Sequence, residues 1–370
     1  MRFRTLAATA ALTLATALPA GAFEQLDAVL AKAMEGSKVP AAGVLVMRNG
    51  QVEDQAVRGL RRNDGKDAVL PDDAWVIGST GKVMTVAMVM RLVEHGSLSW
   101  DTPLEQLLPE LAKAMRPEYR KVTLVELLSH RAGLPRDLRN TRALDAYFTD
   151  KRELGVQRLA YIAAALKEKP EVKPGTAFSY SNTGFLIAAA VAEKVSGKSY
   201  EALMQAEVFA PLGMQTAGSG TTHDGQIRGH SQGKPKLVMK KESDGVPAMY
   251  APAGFLHMSL GDWAKFSLDQ LAGARGEGKL LAPASYKLMQ TAQPGSGAGL
   301  DWGVQPGIAG RKGPVLVHQG SDGNWLAVVV LFPEQGTGVL AVANAADDMG
   351  ADKVIHAMIG PLFSTLAPAK

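Results

Sequence analysis

A nearly uninterrupted apolar stretch, residues 83–93, constrains the fold of this chain more than any other segment. A helix that is apolar on all sides is typical of the centre of a domain, and Gly96 is placed to end it. Ser79 and Lys82 come directly before the stretch. Because side chains three positions apart share one face of a helix, we expect the hydroxyl and the amine to be neighbours. This is the arrangement of an activated serine nucleophile.

A structural interpretation of the same residues competes with this one. A serine before an apolar helix is often its N-cap, and a lysine can extend its amine to the surface. Short motifs such as Ser-x-x-Lys also match by chance. Taken alone, the pattern of Ser79 and Lys82 favours capping, and two further motifs reverse that preference.

The second motif is Tyr180-Ser181-Asn182, which lies just before a predicted helix over residues 182–195. Tyr180 and Asn182 flank Ser181, so their side chains can point to the same side. A phenol acts as a base only where its anion is stabilised, and a nearby ammonium such as that of Lys82 is a suitable partner. The alternatives are a core tyrosine with a hydrogen-bonded hydroxyl and an asparagine that caps the helix.

The third motif is His318-Gln319-Gly320, at the end of a predicted strand over residues 314–317. A glycine there allows another group to approach the backbone closely. The amide of Ser321, together with the amide of Ser79, would form an oxyanion hole. The alternative is a strand-end histidine that is hydrogen-bonded to backbone.

The N-terminus has the parts of a secretory signal. Arg2 and Arg4 precede an apolar stretch over residues 6–18, and residues 20–22 form an Ala-x-Ala cleavage site. The stretch is too short to span a bilayer comfortably. We therefore expect residues 1–22 to be a signal peptide and the product to be periplasmic or secreted. With no cysteine, the chain has no disulfide and no lipobox, which suits a bacterial periplasm or medium.

Composition argues against nucleic acid as a partner. The signal carries two arginines and no acidic residue, so its removal lowers the formal net charge from +4 to +2. Aromatic residues are only 6% of the chain and no basic run is interleaved with them. The lysine-rich stretch over residues 221–245 is predicted to be a solvated loop, with a substrate-facing lid as the alternative. No spacing typical of a zinc protease helix, a P-loop or a G-x-S-x-G elbow occurs, so no metal or cofactor is expected.

Strand patterns occur at both ends of the chain and helices dominate the middle. Two predicted hairpins join residues 42–47 to 52–57, around Asn49-Gly50, and residues 325–332 to 338–343. The predicted fold class is α+β: an antiparallel sheet built from both termini, flanked by helices, with a mostly helical inserted domain. The predicted domains are a discontinuous α/β domain over residues 23–78 and 250–370, and a helical domain over 79–249.

With these motifs in this order, the chain resembles the penicillin-recognising serine hydrolases, in particular the class C β-lactamase-like branch. That branch includes DD-peptidases, D-aminopeptidases and family VIII esterases. Residues 79–82 match its S-x-x-K motif, residues 180–182 match Y-x-N, and residues 318–320 stand where K-T-G or H-x-G is found. Supporting matches fall at residues 127–135, 211–214 and 253–256, so the resemblance covers nearly the whole mature chain.

The resemblance implies acyl transfer without a metal or cofactor. Ser79 would attack a carbonyl carbon while Lys82 and Tyr180 take and relay its proton. Asn182 would hold the amide of the substrate, and His318 would contact its carboxylate or leaving-group side. Whether Lys82 or Tyr180 is the acylation base stays open, because two coupled groups titrate together.

The histidine at the third motif bears on the choice of substrate. Histidine is mostly neutral at pH 7, whereas lysine is a permanent cation. Loss of a charge-assisted contact, worth roughly 1.5–3 kcal/mol, predicts weak handling of β-lactams. The first expectation is therefore hydrolysis of amide bonds in D-amino-acid-containing peptides of the cell-wall type. A carboxylesterase for short acyl esters and a non-turnover penicillin-binding sensor module are the alternatives.

Overall fold

The computed structural model describes residues 21–220, 222, 226–236 and 246–368, without the side chains of residues 21–24. The predicted signal peptide therefore lies outside the described residues, except for the backbone of residues 21 and 22. The predicted loop over residues 221–245 is described only in part.

The strands occur near both ends of the chain and in short pairs between them. They are β1 (Ala41–Arg48), β2 (Gln51–Gly59), β3 (Trp75–Val76), β4 (Gly218–Ser219), β5 (His230–Ser231), β6 (Lys234–Pro235), β7 (Leu256–Met258), β8 (Gly303–Ile308), β9 (Arg311–Gly320), β10 (Leu326–Phe332) and β11 (Thr337–Ala343).

The α-helices begin before the first strand and end close to the C-terminus. They are α1 (Gly21–Met34), α2 (Lys82–Glu94), α3 (Leu104–Leu107), α4 (Leu124–Leu128), α5 (Arg142–Asp145), α6 (Leu154–Ala165), α7 (Asn182–Ser196), α8 (Tyr200–Met204), α9 (Ala251–Gly254), α10 (Leu260–Gly273), α11 (Pro283–Gln290), α12 (Ala351–Ile359) and α13 (Phe363–Leu366).

The main sheet has six strands in the order β2-β1-β11-β10-β9-β8, and its neighbouring strands pair antiparallel. The N-terminal strand β1 pairs with the C-terminal strand β11, with Leu45 opposite Leu340. The predicted fold class, an antiparallel sheet built from both termini with helices around it, is confirmed.

The first predicted hairpin shows how local sequence specifies this sheet. Asn49 and Gly50, which join β1 to β2, have φ angles of 53° and 75°. Two successive residues with positive φ match the twist of the flanking strands, and Asn-Gly adopts this turn readily. The turn therefore sets the pairing of β2 with β1, a strand that is buried along nearly its whole length.

Helices cover both faces of the sheet. On one face, α1 and α12 pack against the central strands, and Leu30 and Ile355 join Val44 and Ala341 in one apolar cluster. On the other face, α10 packs against β1 and β11, and its side chains belong to a larger apolar cluster that continues into the helical part of the molecule. The sheet is thus buried on both sides.

The helix α2 lies at the centre of the helical part, as its apolar sequence predicts. Its residues are buried except at Arg91 and at its C-terminal end, and it packs against α7, α8 and α9. Gly96 follows it with a φ of 75°. A capping box between Thr123 and Glu126, a pattern of sequence that favours a helix start, begins α4.

Two helical segments change form along their length. The helix α8 is followed directly by a turn of π-helix, Gln205–Phe209. Near the C-terminus, Gly350, with a φ of 87°, separates a 3-10 turn from α12. Within the described ranges, no helix has the length and apolar character needed to cross a bilayer.

Truncation of a central strand residue should destabilise the whole molecule. Leu45 is fully buried in β1, and its replacement by alanine removes buried methyl groups and leaves a cavity. We expect Leu45→Ala to lower the free energy of unfolding by about 2–5 kcal/mol, measured by urea denaturation. Leu70→Ala is the matched control, because Leu70 is 53% exposed. Equal stability of the two variants would contradict the placement of β1 in the core.

Candidate active site

Ser79 lies in a 3-10 turn, Gly78–Gly81, that leads directly into α2. The N-cap position of α2 is Gly81, and no side chain caps either the turn or the helix. The capping interpretation of Ser79 is therefore wrong. The Ser79 side chain is left available for other partners, and the residue is half-buried.

Two functional groups meet the Ser79 hydroxyl. The Nζ atom of Lys82 lies 2.9 Å from Ser79 Oγ, and the hydroxyl of Tyr180 lies 2.9 Å from the same oxygen. Lys82 comes from the first turn of α2, whereas Tyr180 comes from the loop that precedes α7. The structure thus brings together the first two motifs, which are about 100 residues apart in the chain.

The Lys82 amine is held in an apolar environment. The residue is fully buried, and its ammonium donates a hydrogen bond to the carbonyl of Ala253. It lies 5.1 Å from the ring centroid of Tyr180 and 5.5 Å from that of Phe185. Within the described ranges, no carboxylate forms an ion pair with it. A carbonyl, two aromatic rings and the Ser79 hydroxyl therefore form its surroundings.

Asn182 is held in one orientation at the start of α7. Its Nδ2 donates to Asp137 Oδ1 at 2.9 Å, and the same carboxylate accepts the Tyr250 hydroxyl at 3.1 Å. Because a carboxylate only accepts, the amide nitrogen of Asn182 must face Asp137. Its Oδ1 is shielded from solvent and has no hydrogen-bond partner among the described residues. The helix cap is instead Ser181, whose hydroxyl accepts from the amide of Gly184.

His318 stands on β9 with its ring turned toward a buried carboxylate. Its Nε2 lies 2.9 Å from Asp301 Oδ2, and its Nδ1 lies 3.0 Å from the backbone oxygen of Gln319. The other oxygen of Asp301 lies 2.9 Å from Nε2 of His130. His318 therefore lines the site, but a protein carboxylate already occupies the position next to its ring.

The environment of Asp301 keeps it ionised. Burial alone raises the pKa of this carboxyl, but the charge of His318 and the hydrogen bonds of both histidines outweigh burial and hold the pKa well below its usual range. For His130 the balance is the opposite. Burial lowers the pKa of its imidazole, and the opposing effect of Asp301 does not compensate for it.

The backbone after His318 meets the backbone at Ser79. A Cβ atom on Gly320 would lie 2.5 Å from the Ser79 nitrogen and 2.7 Å from the Thr80 nitrogen. A Cβ atom on Gly78 would lie 2.5 Å from the Ser321 nitrogen. Only glycine allows an approach this close. The two amides that the sequence nominates for an oxyanion hole, those of Ser79 and Ser321, thus belong to backbone segments in direct contact.

A cavity of about 620 Å³ lies beside Tyr180 and His318, and Ser79 is not among the residues that line it. Tyr180, His318, His130, Asp301 and Phe178 line it, together with apolar residues of the sheet and of α12. Its size is within the range that holds small ligands. A further cavity, of about 570 Å³, lies beside α6 and α7 and contains none of the motif residues.

Sequence reasoning did not identify Asp137 and Asp301 as parts of this site. Neither belongs to a motif, and only their contacts with Asn182 and His318 show their importance. The sequence gave no reason to expect one of the arginines near Leu134, rather than another, to line the cleft. The structure places the guanidinium of Arg136 5.0 Å from the Tyr180 ring centroid. Arg139 pairs with Glu171 instead.

The fold and the site define a class of protein, the penicillin-recognising serine hydrolases. A serine, a lysine and a tyrosine meet at the junction of an antiparallel sheet and a helical region, beside a glycine at the end of a strand. The sequence agrees with this assignment: residues 26–358 match the Beta-lactamase family, and the chain belongs to that family.

Two curated relatives are similar over most of the chain. Penicillin-binding protein 4 of Amycolatopsis lactamdurans is 28% identical over 322 residues, which cover 82% of this chain and 80% of that protein. Protein flp of Staphylococcus aureus (strain N315) is 23% identical over 333 residues, which cover 87% of this chain and 63% of the relative's length.

Solved structures share the fold. The octameric penicillin-binding protein homologue from Pyrococcus abyssi superposes with a TM-score of 0.74 at 24% identity, covering 92% of this chain and 77% of that one. The structure of SurE with D-Leu gives a TM-score of 0.74 at 25% identity, covering 92% of this chain and 75% of that one.

The contact between Gly320 and the turn of Ser79 can be tested by a single methyl group. In Gly320→Ala the new Cβ would lie 2.4 Å from the Ile77 oxygen and 2.5 Å from the Ser79 nitrogen. The two backbones must separate, so we expect phosphonylation of Ser79 by a fluorophosphonate probe, with release of fluoride, to slow by about 10²–10³-fold, as when one oxyanion-hole donor is lost.

Gly65→Ala is the matched control for this substitution. A Cβ atom there would meet its nearest neighbour at 3.7 Å, an ordinary contact. Circular dichroism would establish that both variants are folded. A folded Gly320→Ala variant that is phosphonylated at the wild-type rate would contradict the proposed position of the amides.

Proposed function

We propose that this protein is an exported serine hydrolase that cleaves amide bonds of D-amino-acid-containing peptides through an acyl-enzyme on Ser79. The observation that carries the proposal is the pair of 2.9 Å contacts that Ser79 Oγ makes with Lys82 Nζ and Tyr180 OH. A hydroxyl next to two groups that can accept and pass on its proton is the requirement for nucleophilic catalysis by serine.

In the acylation step, Ser79 Oγ forms a bond to the carbonyl carbon of the substrate. The hydroxyl proton passes to the Lys82–Tyr180 pair, and the carbonyl oxygen acquires negative charge. The amides of Ser79 and Ser321 are the donors that would stabilise that charge. The carbon–nitrogen bond then breaks, and the leaving amine takes the proton from the same pair. The product is an ester between the substrate acyl group and Ser79.

In the deacylation step, water replaces the amine. The Lys82–Tyr180 pair accepts a proton from the water as its oxygen attacks the ester carbonyl. The ester bond breaks, and Ser79 Oγ regains a proton. Proton transfer by positioned groups of this kind accelerates each step by about 10²–10⁴-fold.

Asn182 supports a peptide rather than a simple ester as the substrate. Its amide nitrogen is held by Asp137, so its unpaired Oδ1 is an acceptor of fixed direction. A buried acceptor without a partner is costly, and the N–H of an acylamino group would satisfy it once the substrate displaces the covering side chains. A short acyl ester has no such donor. The structural neighbour SurE, solved with D-Leu, adds support for D-amino acids.

One observation favours carboxylesterase activity as a second candidate. His318 faces Asp301, so its positive charge, when present, is balanced by a protein carboxylate. A peptidase that recognises a free C-terminus requires a cation for the carboxylate of the substrate, whereas an esterase does not. The exposed Arg136 beside Tyr180 is the cation nearest to that ring among the described arginines.

Covalent labelling tests the nucleophile. We expect a fluorophosphonate probe to add one adduct to the wild-type protein, because Ser79 Oγ is activated by Lys82 and Tyr180. Ser79→Ala should take up none, as measured by intact-protein mass spectrometry. Equal labelling of the two proteins would be fatal to the assignment of Ser79.

A substrate comparison tests the proposed class. We expect release of D-alanine from an acylated D-Ala-D-Ala peptide, and a loss of roughly tenfold in kcat/KM for that peptide in Asn182→Ala, the value of one hydrogen bond. The same variant should hydrolyse a short p-nitrophenyl ester nearly as fast as wild type. Cleavage of the ester alone would support the esterase candidate, and cleavage of neither would contradict both.

A further inference from the structure

We propose that Asp301 is a positioning residue of this active site, which acts through His130 to fix the ring of Tyr180. The inference rests on the proposed serine hydrolase function. It concerns a residue outside the three motifs, on the segment that leads into β8. Its starting point is that the Asp301 side chain is fully buried between the rings of two histidines.

The backbone at Asp301 and His130 is held in an unusual conformation. Their φ angles are 68° and 57°, in the left-handed region that residues with a Cβ atom seldom occupy. Glycine would adopt this backbone conformation with less strain. The local backbone therefore gives no reason for a histidine or an aspartate at these two positions. The conformation instead brings the two side chains into contact, with 2.9 Å between Asp301 Oδ1 and His130 Nε2.

Both nitrogens of the His130 ring have a partner. The Nδ1 atom accepts the backbone N–H of Ser181 at 3.0 Å, so the proton of the neutral ring must be on Nε2. From there it is donated to Asp301. The carboxylate therefore selects the tautomer of His130, and that tautomer secures the backbone next to Tyr180.

The His130 ring also holds the Tyr180 ring directly. The two rings stack with centroids 4.4 Å apart and an interplanar angle of 30°. A stacked ring and an anchored backbone at Ser181 together determine where the Tyr180 hydroxyl lies. That hydroxyl is the group 2.9 Å from Ser79 Oγ. A continuous series of contacts thus links Asp301 to the nucleophile, and its second oxygen lies 2.9 Å from Nε2 of His318 in the same cavity.

The test uses saturation kinetics of labelling by an alkyl fluorophosphonate, which has no carboxylate and so does not depend on His318 for charge recognition. Asp301→Asn keeps the size of the side chain and removes its charge. We expect the limiting rate of labelling to fall roughly tenfold to a hundredfold. This is part of the acceleration that a positioned proton-transfer group provides. The half-saturating probe concentration should change by less than about twofold, because the phenol acts in the reaction rather than in binding.

Two further variants identify the route of the effect. His130→Asn removes the stacked ring with a residue that tolerates positive φ, and it should reproduce the loss in limiting rate. The double variant should lose little more than either single variant, since both act on the same phenol. Asp269→Asn is the matched control, because Asp269 is also a buried, hydrogen-bonded carboxylate but lies outside the site.

The outcomes separate this inference from the proposed function. If Ser79→Ala abolishes labelling but Asp301→Asn reacts at the wild-type limiting rate, Asp301 has no positioning role and the hydrolase proposal stands. An equal loss in Asp269→Asn, or an unchanged rate in His130→Asn, also overturns the inference. If Ser79→Ala is labelled like wild type, the proposed function itself fails.

Discussion

The contact between two backbone segments is the constraint on which the site depends. Gly78, before Ser79, and Gly320, at the end of β9, leave no room for a Cβ atom between them. This approach joins the sheet to the helical region at the position of Ser79, and it places the amides of Ser79 and Ser321 in neighbouring segments. The geometry at this point is therefore a property of main-chain packing, which side-chain rotation cannot disturb.

The site also depends on the burial of Lys82. An amine without a paired carboxylate is costly to bury, yet here a carbonyl, a hydroxyl and two aromatic rings surround it. The carboxylates of the site are used elsewhere: Asp137 orients Asn182, and Asp301 joins His130 and His318. These two carboxylates thus support the groups around Ser79 and do not pair with the Lys82 amine.

Much of this arrangement follows from local sequence. Three local signals specify secondary structure here: the period of the apolar residues, the Asn49-Gly50 turn and the capping box at Thr123. Each of them depends only on residues that are close in the sequence. The first two motifs nominate Ser79, Lys82 and Tyr180, which the structure brings into contact. Asp137 and Asp301 were not predicted, since an isolated aspartate has no periodic pattern and its partner is known only from tertiary packing. The π turn after α8 likewise has no signal in helical periodicity.

The pairing of β1 with β11 has a consequence for how the molecule forms. Leu45 and Leu340 are partners in adjacent central strands, so the sheet closes only after nearly the entire polypeptide is available. Closing a loop of that length costs conformational entropy before any contact stabilises the pairing. This cost slows folding. The strand that carries His318 and Gly320 joins the sheet through β10, next to β11. The surroundings of Ser79 are therefore completed late in folding, once the last strands of the sheet have formed.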